Sequence, residues 1–238
     1  NLSYSSLINL HRVLGSKVFE AWERSFNNYQ WADMPRKKRE KNQARQVAAI
    51  ESRLALLREL EFIAGENEVT EKGGVAAVIN GFELPVAELY FSGLLQWLDE
   101  VQILIVIAAL TFEERRGDLF SRLDRKILGE HRGDVERIIG RIIAAEQRHI
   151  AEPTIREPNL NIGAVIHAFA MGGELEDLSD LTNASPGDLV RVFRLTVQVI
   201  RQLKKAIRGD RKFTDRLGRA IELINRGAVD AKRQLELG

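Results

Sequence analysis

The chain has 238 residues, 45% of them apolar and 29% charged, so it is too apolar for disorder and long enough for one or two domains with a proper core. Its 35 Lys and Arg nearly balance 34 Asp and Glu, a formal charge of +1, so any surface for a polyanion has to be local. The absence of cysteine excludes disulfide frameworks, thiolate zinc sites and thiol catalysis, and fits a reducing, intracellular and cytoplasmic setting.

The chain begins with Asn1 rather than Met and runs directly into a periodic apolar pattern, as a processed protein or a piece of a longer one would. Apolar positions recur at spacings of three and four and only five prolines interrupt them, which predicts a mainly α protein. Leu7, Leu10 and Leu14 form a first helical face ending at Gly15, and Val18, Trp22, Phe26 and Tyr29 a second. From Arg36 to Glu61 one long helix is predicted. Its first third is basic (Arg36, Lys37, Lys38, Arg39, Lys41, Arg45), and the rest carries a narrow seam of Val47, Ile50, Leu54 and Leu57 that suits a single partner surface. A β-hairpin is predicted at Val75–Ile79 and Phe82–Leu84, turning at Asn80-Gly81. Gly73-Gly74 before it reads as punctuation, since no Lys-Ser/Thr follows at phosphate-loop spacing.

Pro85 suits the first turn of a helix, and helices then follow near 85–95, 98–112, 116–128, 132–151, 160–172, 174–182, 186–208 and 210–236. Val101 to Leu110 is apolar on nearly every side and is expected to be the buried central helix. The longest unbroken apolar run, Ile103 to Leu110, is far short of the ~20 residues of a membrane span, so no membrane partner is expected. Pro153 and Pro158 mark a loop over Glu152 to Asn161.

Little in the sequence supports catalysis. His11, His131, His149 and His167 lie in separate segments without a second ligand at i, i+4, and His167 reads as a core residue on an apolar helix. The carboxylate groups Glu113-Glu114 and Glu174, Glu176, Asp177 read as solvated surface. No GxxxxGK[ST] sequence is present, so this polypeptide is not expected to hydrolyse ATP.

Two helices carry positive stripes. Between Gly187 and Arg208, Leu189, Val192, Phe193, Val197, Ile200, Leu203 and Ile207 face inward, while Arg191, Arg194, Gln198, Arg201, Lys205 and Arg208 recur outside; Leu189 to Arg208 contains no acid. A single-sign stripe suits phosphate-backbone contact, with a solvated face as the competing reading. On the second helix Arg137, Arg141 and Arg148 follow the apolar run Val135, Ile138, Ile139, Ile142 and Ile143, with Glu136 and Glu146 diluting the charge.

Asp188-Leu189-Val190-Arg191, Arg201-Gln202-Leu203 and Phe169-Ala170-Met171-Gly172 resemble the C-terminal helical DSHCT domain of Ski-like DExH-box RNA helicases. Leu89-Tyr90-Phe91-Ser92-Gly93, with Leu98, Gln102 and Phe112-Glu113, is similar to the first bundle helices of that family. Leu2-Ser3-Tyr4 through Ile8-Asn9-Leu10, with Ser25-Phe26 and Tyr29-Gln30, resembles the stretch after its second RecA-like domain. The resemblance implies a small winged-helix-like unit with a short β-hairpin over residues 1–84, followed by a multi-helix bundle over 85–238. It leaves only a short helical insertion, 31–65, where the family's arch emerges, and it places Phe169 where a tryptophan is expected.

By the same resemblance the bundle closes one side of a channel for a single strand, and Val135 to Ile150 matches its ratchet-like helix. The strand-contacting residues are then Glu136, Arg137, Arg141 and Arg148, together with Arg191, Arg194, Arg201 and Lys205 from the other stripe. The implied parent is an ATP-dependent superfamily 2 RNA helicase. Its RecA-like motor domains would hold ATP and magnesium; this chain would hold no cofactor. Partners implied are single-stranded RNA, with DNA left open, the motor domains of the same parent chain, and RNA-decay machinery. The competing class is a stand-alone helical scaffold or protein-interaction module.

Overall fold

The computed structural model describes residues 2–18 and 35–230. The expected second helical face on Trp22, Phe26 and Tyr29, and the predicted helix beyond Asp230, lie outside the described residues.

Helix α1 (Tyr4–Leu14) starts where the Ser3 side chain accepts the Ser6 N–H at 3.2 Å and ends at Gly15. Its inward face is Tyr4, Leu7, Ile8 and His11, with Leu10 and Leu14 only half-buried, so the stripe is turned from the one predicted. Helix α2 (Arg36–Glu59) buries Ile50, Leu54, Leu56 and Leu57 and nothing before Ile50. Strands β1 (Ile63–Ala64) and β2 (Glu68–Val69) follow, antiparallel, with Ile63 opposite Val69 and Ala64 opposite Glu68.

This hairpin is not the one predicted. Thr70 accepts the Gly73 N–H at 3.0 Å and starts helix α3 (Glu71–Ala76), which absorbs Val75 and Ala76; helix α4 (Glu83–Phe91) absorbs Leu84. Asn80-Gly81 turns the chain between two helices, with Gly81 at φ 89°. Short apolar runs around Asn-Gly fit strands and helix ends equally, and the Thr70 cap decides for helix.

Pro85 sits in the first turn of α4, and α5 (Leu94–Trp97) is a single turn beyond Gly93. Helix α6 (Glu100–Thr111) opens on a capping box in which Asp99 Oδ1 accepts the Gln102 N–H at 2.8 Å and Gln102 Oε1 accepts the Asp99 N–H at 3.0 Å. Ile103 to Ala109 are all buried, which bears out the central helix.

The helix predicted at 116–128 shrinks to α7 (Arg125–Leu128), because Asp124 caps the Lys126 N–H and helix formation starts only there. Before it, Phe120 pairs with Thr182 across an isolated bridge, and the Ser121 N–H donates to the Leu181 carbonyl at 2.7 Å. Helix α8 (His131–His149), the proline-containing loop and α9 (Gly163–Ala170) follow, while the predicted 174–182 helix is one 3-10 turn, Glu176–Asp180. Ser185 caps α10 (Pro186–Ala206), Asp210 caps α11 (Arg211–Ile224), and a 3-10 turn, Gly227–Val229, closes the described chain.

The fold is mainly α with one two-stranded sheet among the described residues. Helix α6 packs against α9, α10 and α11; α8 packs on α2 and α4; α1 packs on α3, β2 and α4. One continuous apolar core runs from Tyr4 to Val229. No helix among the described residues is long and apolar enough to cross a membrane.

Candidate nucleic-acid interface

Helix α10 separates its residues as its sequence predicts. Leu189, Val192, Phe193, Val197, Ile200 and Leu203 are buried, while Arg191, Gln198, Arg201 and Lys205 are exposed. Arg191, Arg201 and Lys205 form no ion pair with any described residue. Arg194 is committed elsewhere: its Nη2 donates to the Ala228 carbonyl at 2.6 Å and its Nε to the Val229 carbonyl at 3.3 Å, which pins the Gly227–Val229 turn onto the helix. Beside it lies a groove of about 390 Å³, with Val197 and Val229 for apolar lining and Arg194, Gln198, Arg201, Gln202, Lys205, Asn225 and the Asp230 carboxylate for polar lining. Arg201 and Lys205, without ion pairs to described residues, outnumber the one carboxylate in this groove and, beside its apolar lining, suit a phosphate backbone with its bases turned toward the protein.

Helix α8 is different. Arg132 Nε pairs with Glu136 at 2.9 Å and Arg137 with Asp134 at 2.8 Å, both within the helix. Arg148 pairs with Glu59 of α2, and His149 Nε2 lies 2.6 Å from the other oxygen of that carboxylate. Hydrogen bonds from His149 first, and from Arg148, hold the Glu59 carboxyl below the usual range. Glu146 does not dilute the surface charge, because it is wholly buried. Of the four strand-contacting residues expected on α8, Arg141 alone is exposed without an ion pair to a described residue.

Arg141 borders a second groove, about 860 Å³, between α2, the hairpin, α3 and α4. Arg58 and Lys72 join it there, facing Glu61, Glu71 and Glu88, and Lys72 pairs with Glu88 while lying 4.6 Å from the centre of the Phe62 ring. Sequence reading missed Arg58 and Lys72 as neighbours of Arg141, since only the tertiary packing brings these segments together. The two stripes lie on helices with different main neighbours: α10 packs mainly on α6 and α11, and α8 on α2 and α4.

Residues 66–231 match the DSHCT (NUC185) domain. The chain belongs to the DSHCT domain family. Relatives include the ATP-dependent RNA helicase mtr4 of Schizosaccharomyces pombe, 24% identical over 83% of this chain and 18% of that protein. The antiviral helicase SKI2 of Saccharomyces cerevisiae is 26% identical over 76% of this chain and 15% of its own length. The exosome RNA helicase MTR4 of Homo sapiens is 25% identical over 84% and 20%. The chain thus spans about a fifth of the length of these relatives. It matches the part of Ski-like helicases that the sequence resemblance pointed to. Within this DSHCT domain, Phe169 is a buried ring, stacked on Phe193 at 4.8 Å with the Arg226 guanidinium 4.1 Å from its centre.

Proposed function

We propose that the chain is the accessory, strand-contacting region of an ATP-dependent Ski-like RNA helicase, and that α10 is the helix that touches single-stranded RNA. The observation that carries this reading is the set Arg191, Arg201 and Lys205, exposed and without ion pairs to described residues, on a helix that bears no acid after Asp188, with Arg201 and Lys205 lining a groove. Paired cations are already neutralised and release few counterions from a nucleic acid; unpaired ones release about one each. On α8 the same test leaves Arg141 as the strand contact, while Arg137 is paired within its own helix and Arg148 ties α8 to α2. ATP and magnesium belong, on this reading, to RecA-like motor domains of a parent chain, and hydrolysis there moves the strand along the groove.

The test is a fluorescence-anisotropy titration of matched single-stranded RNA and DNA across a salt series, with Arg191→Glu/Arg201→Glu beside the parent sequence. The expected result is salt-sensitive binding that the double variant weakens, with the slope of log affinity against log salt lower by about two. Unchanged binding in a variant of unaltered helicity would overturn the assignment of α10. Equal affinity for RNA and DNA would show that the sugar is not read here.

A further inference from the structure

The basic first half of α2 is not used by the interface just described. From Arg36 to Ala49 no residue of this helix is buried, and its first buried side chain is Ile50. Over that stretch six cations meet one carboxylate, Glu40, which is taken by Arg36 at 2.8 Å. Lys37, Lys38, Lys41 and Arg45 are exposed and make no ion pair with any described residue. Lys37, Lys41 and Arg45 follow one another at i, i+4 and i+8, so their charges recur about every 6 Å along one side of the helix. The first turn contains no acid, and Pro35 at the N-cap supplies no side-chain bond, so cations crowd the positive end of the helix dipole, where they oppose it. This arrangement costs stability unless an anion approaches.

The nature of the exposed side narrows the anion. Val47, half-buried, is the only apolar side chain larger than alanine between Arg36 and Ala49, too little for insertion into a lipid surface, and α2 contains no aromatic residue on which an unpaired base could stack. A convex row of cations without a stacking platform reads phosphates alone, and a duplex offers them at the highest linear density. We propose that the first half of α2 is a second nucleic-acid contact, separate from the α10 groove, that docks on the phosphate backbone of double-stranded RNA. Only the choice of RNA rests on the function proposed above.

The experiment uses the full chain with two probes, a blunt RNA duplex and a single-stranded RNA of the same length. Lys37→Glu, Lys38→Glu, Lys41→Glu and Arg45→Glu are combined in one variant, with a four-fold Gln version as its milder counterpart. The Glu variant is expected to lose at least roughly tenfold in duplex affinity near 0.1 M salt and to lower the salt slope by about three to four, while single-strand affinity stays within about twofold. The Gln version should shift in the same direction by less. Carboxylates in the first turn favour the helix dipole, so the melting temperature should not fall, which separates lost contact from lost fold. Duplex affinity and salt slope unchanged in both variants would overturn the proposal. So would retained duplex binding with lost binding to poly-glutamate, which would assign the helix to an acidic protein. If Arg191→Glu/Arg201→Glu leaves single-strand binding intact while the α2 variant loses the duplex, the α10 reading fails and this one stands.

Discussion

His11 is 1% exposed, and neither of its ring nitrogens has a hydrogen-bond partner among the described residues. An unmade bond of this kind costs about 1–3 kcal/mol. Burial, and after it the charge of Arg58, disfavours the protonated ring, so its pKa lies below the ordinary 6.5. In the unfolded chain the ring binds a proton near its ordinary value, and in the folded chain only at lower pH. The stability it contributes is therefore whole above about 6.5 and is lost as pH falls from there through the folded value. His11→Leu should be more stable at neutral pH by about 1 kcal/mol and should lose less on going to pH 5.5 than the parent does, read as the difference between the two Tm shifts. Parallel losses in both proteins would assign the acid sensitivity to other groups.

The candidate site shows the same limit of single-residue reading. Spacing on a helix says which side chains leave its apolar face, and it placed Arg191, Arg201 and Lys205 correctly outside. It does not say what waits in space: Arg194 reaches the carbonyl of Ala228, 34 positions on, and Arg148 reaches Glu59, 89 positions back.

Among the elements, α3 is where local sequence and packing disagree most. Two adjacent glycines lower the propensity of a six-residue helix, which is why the segment reads as punctuation before a strand. The packing supplies the reason for one of them. A Cβ on Gly73 would lie 1.9 Å from the Phe62 carbonyl oxygen, so α3 can approach the end of the hairpin only with glycine there. At Gly74 the nearest atom to such a Cβ is a guanidinium nitrogen of Arg12 at 3.8 Å, an ordinary contact. The two substitutions should therefore diverge. Gly73→Ala is expected to destabilise by about 2–3 kcal/mol through displaced backbone, and Gly74→Ala to stabilise by up to about 1 kcal/mol through helix propensity, both by denaturant unfolding. Similar effects at both positions would mean that the helix shifts freely on the hairpin.

The helices legible in advance include the long ones, α2, α6, α8, α10 and α11, and also the shorter α1, α4 and α9, whose predicted spans overlap the observed ones. The sheet was not legible, because strands of two residues carry no alternation to read.

For the whole molecule, one carboxylate joins segments far apart in the chain. Glu146 lies seven residues after Ile139, on the buried side of α8, and is 0% exposed. Its Oε1 accepts the Tyr4 hydroxyl at 2.8 Å and the Thr154 hydroxyl at 3.0 Å; its Oε2 accepts the backbone N–H groups of Thr154 at 3.0 Å and Ile155 at 2.8 Å. The start of α1, the end of α8 and the loop after it thus meet at one group, and the Tyr4 pKa is raised, by burial first and then by its bond to Glu146. The pattern of donors decides what each substitution does. Glutamine can keep an oxygen toward the two N–H groups and turn its amide nitrogen toward the two hydroxyls, which can also accept, so Glu146→Gln should cost only about 1–2 kcal/mol. Glu146→Leu leaves two N–H groups and two hydroxyls without partners and should cost about 3–5 kcal/mol. Tyr4→Phe should cost about 1 kcal/mol in the parent, yet little in the leucine background, where the hydroxyl has already lost its acceptor. A double-mutant cycle on chemical unfolding reads this coupling directly. Additive losses would mean that α1 is held by its apolar face alone and that the carboxylate serves only the loop.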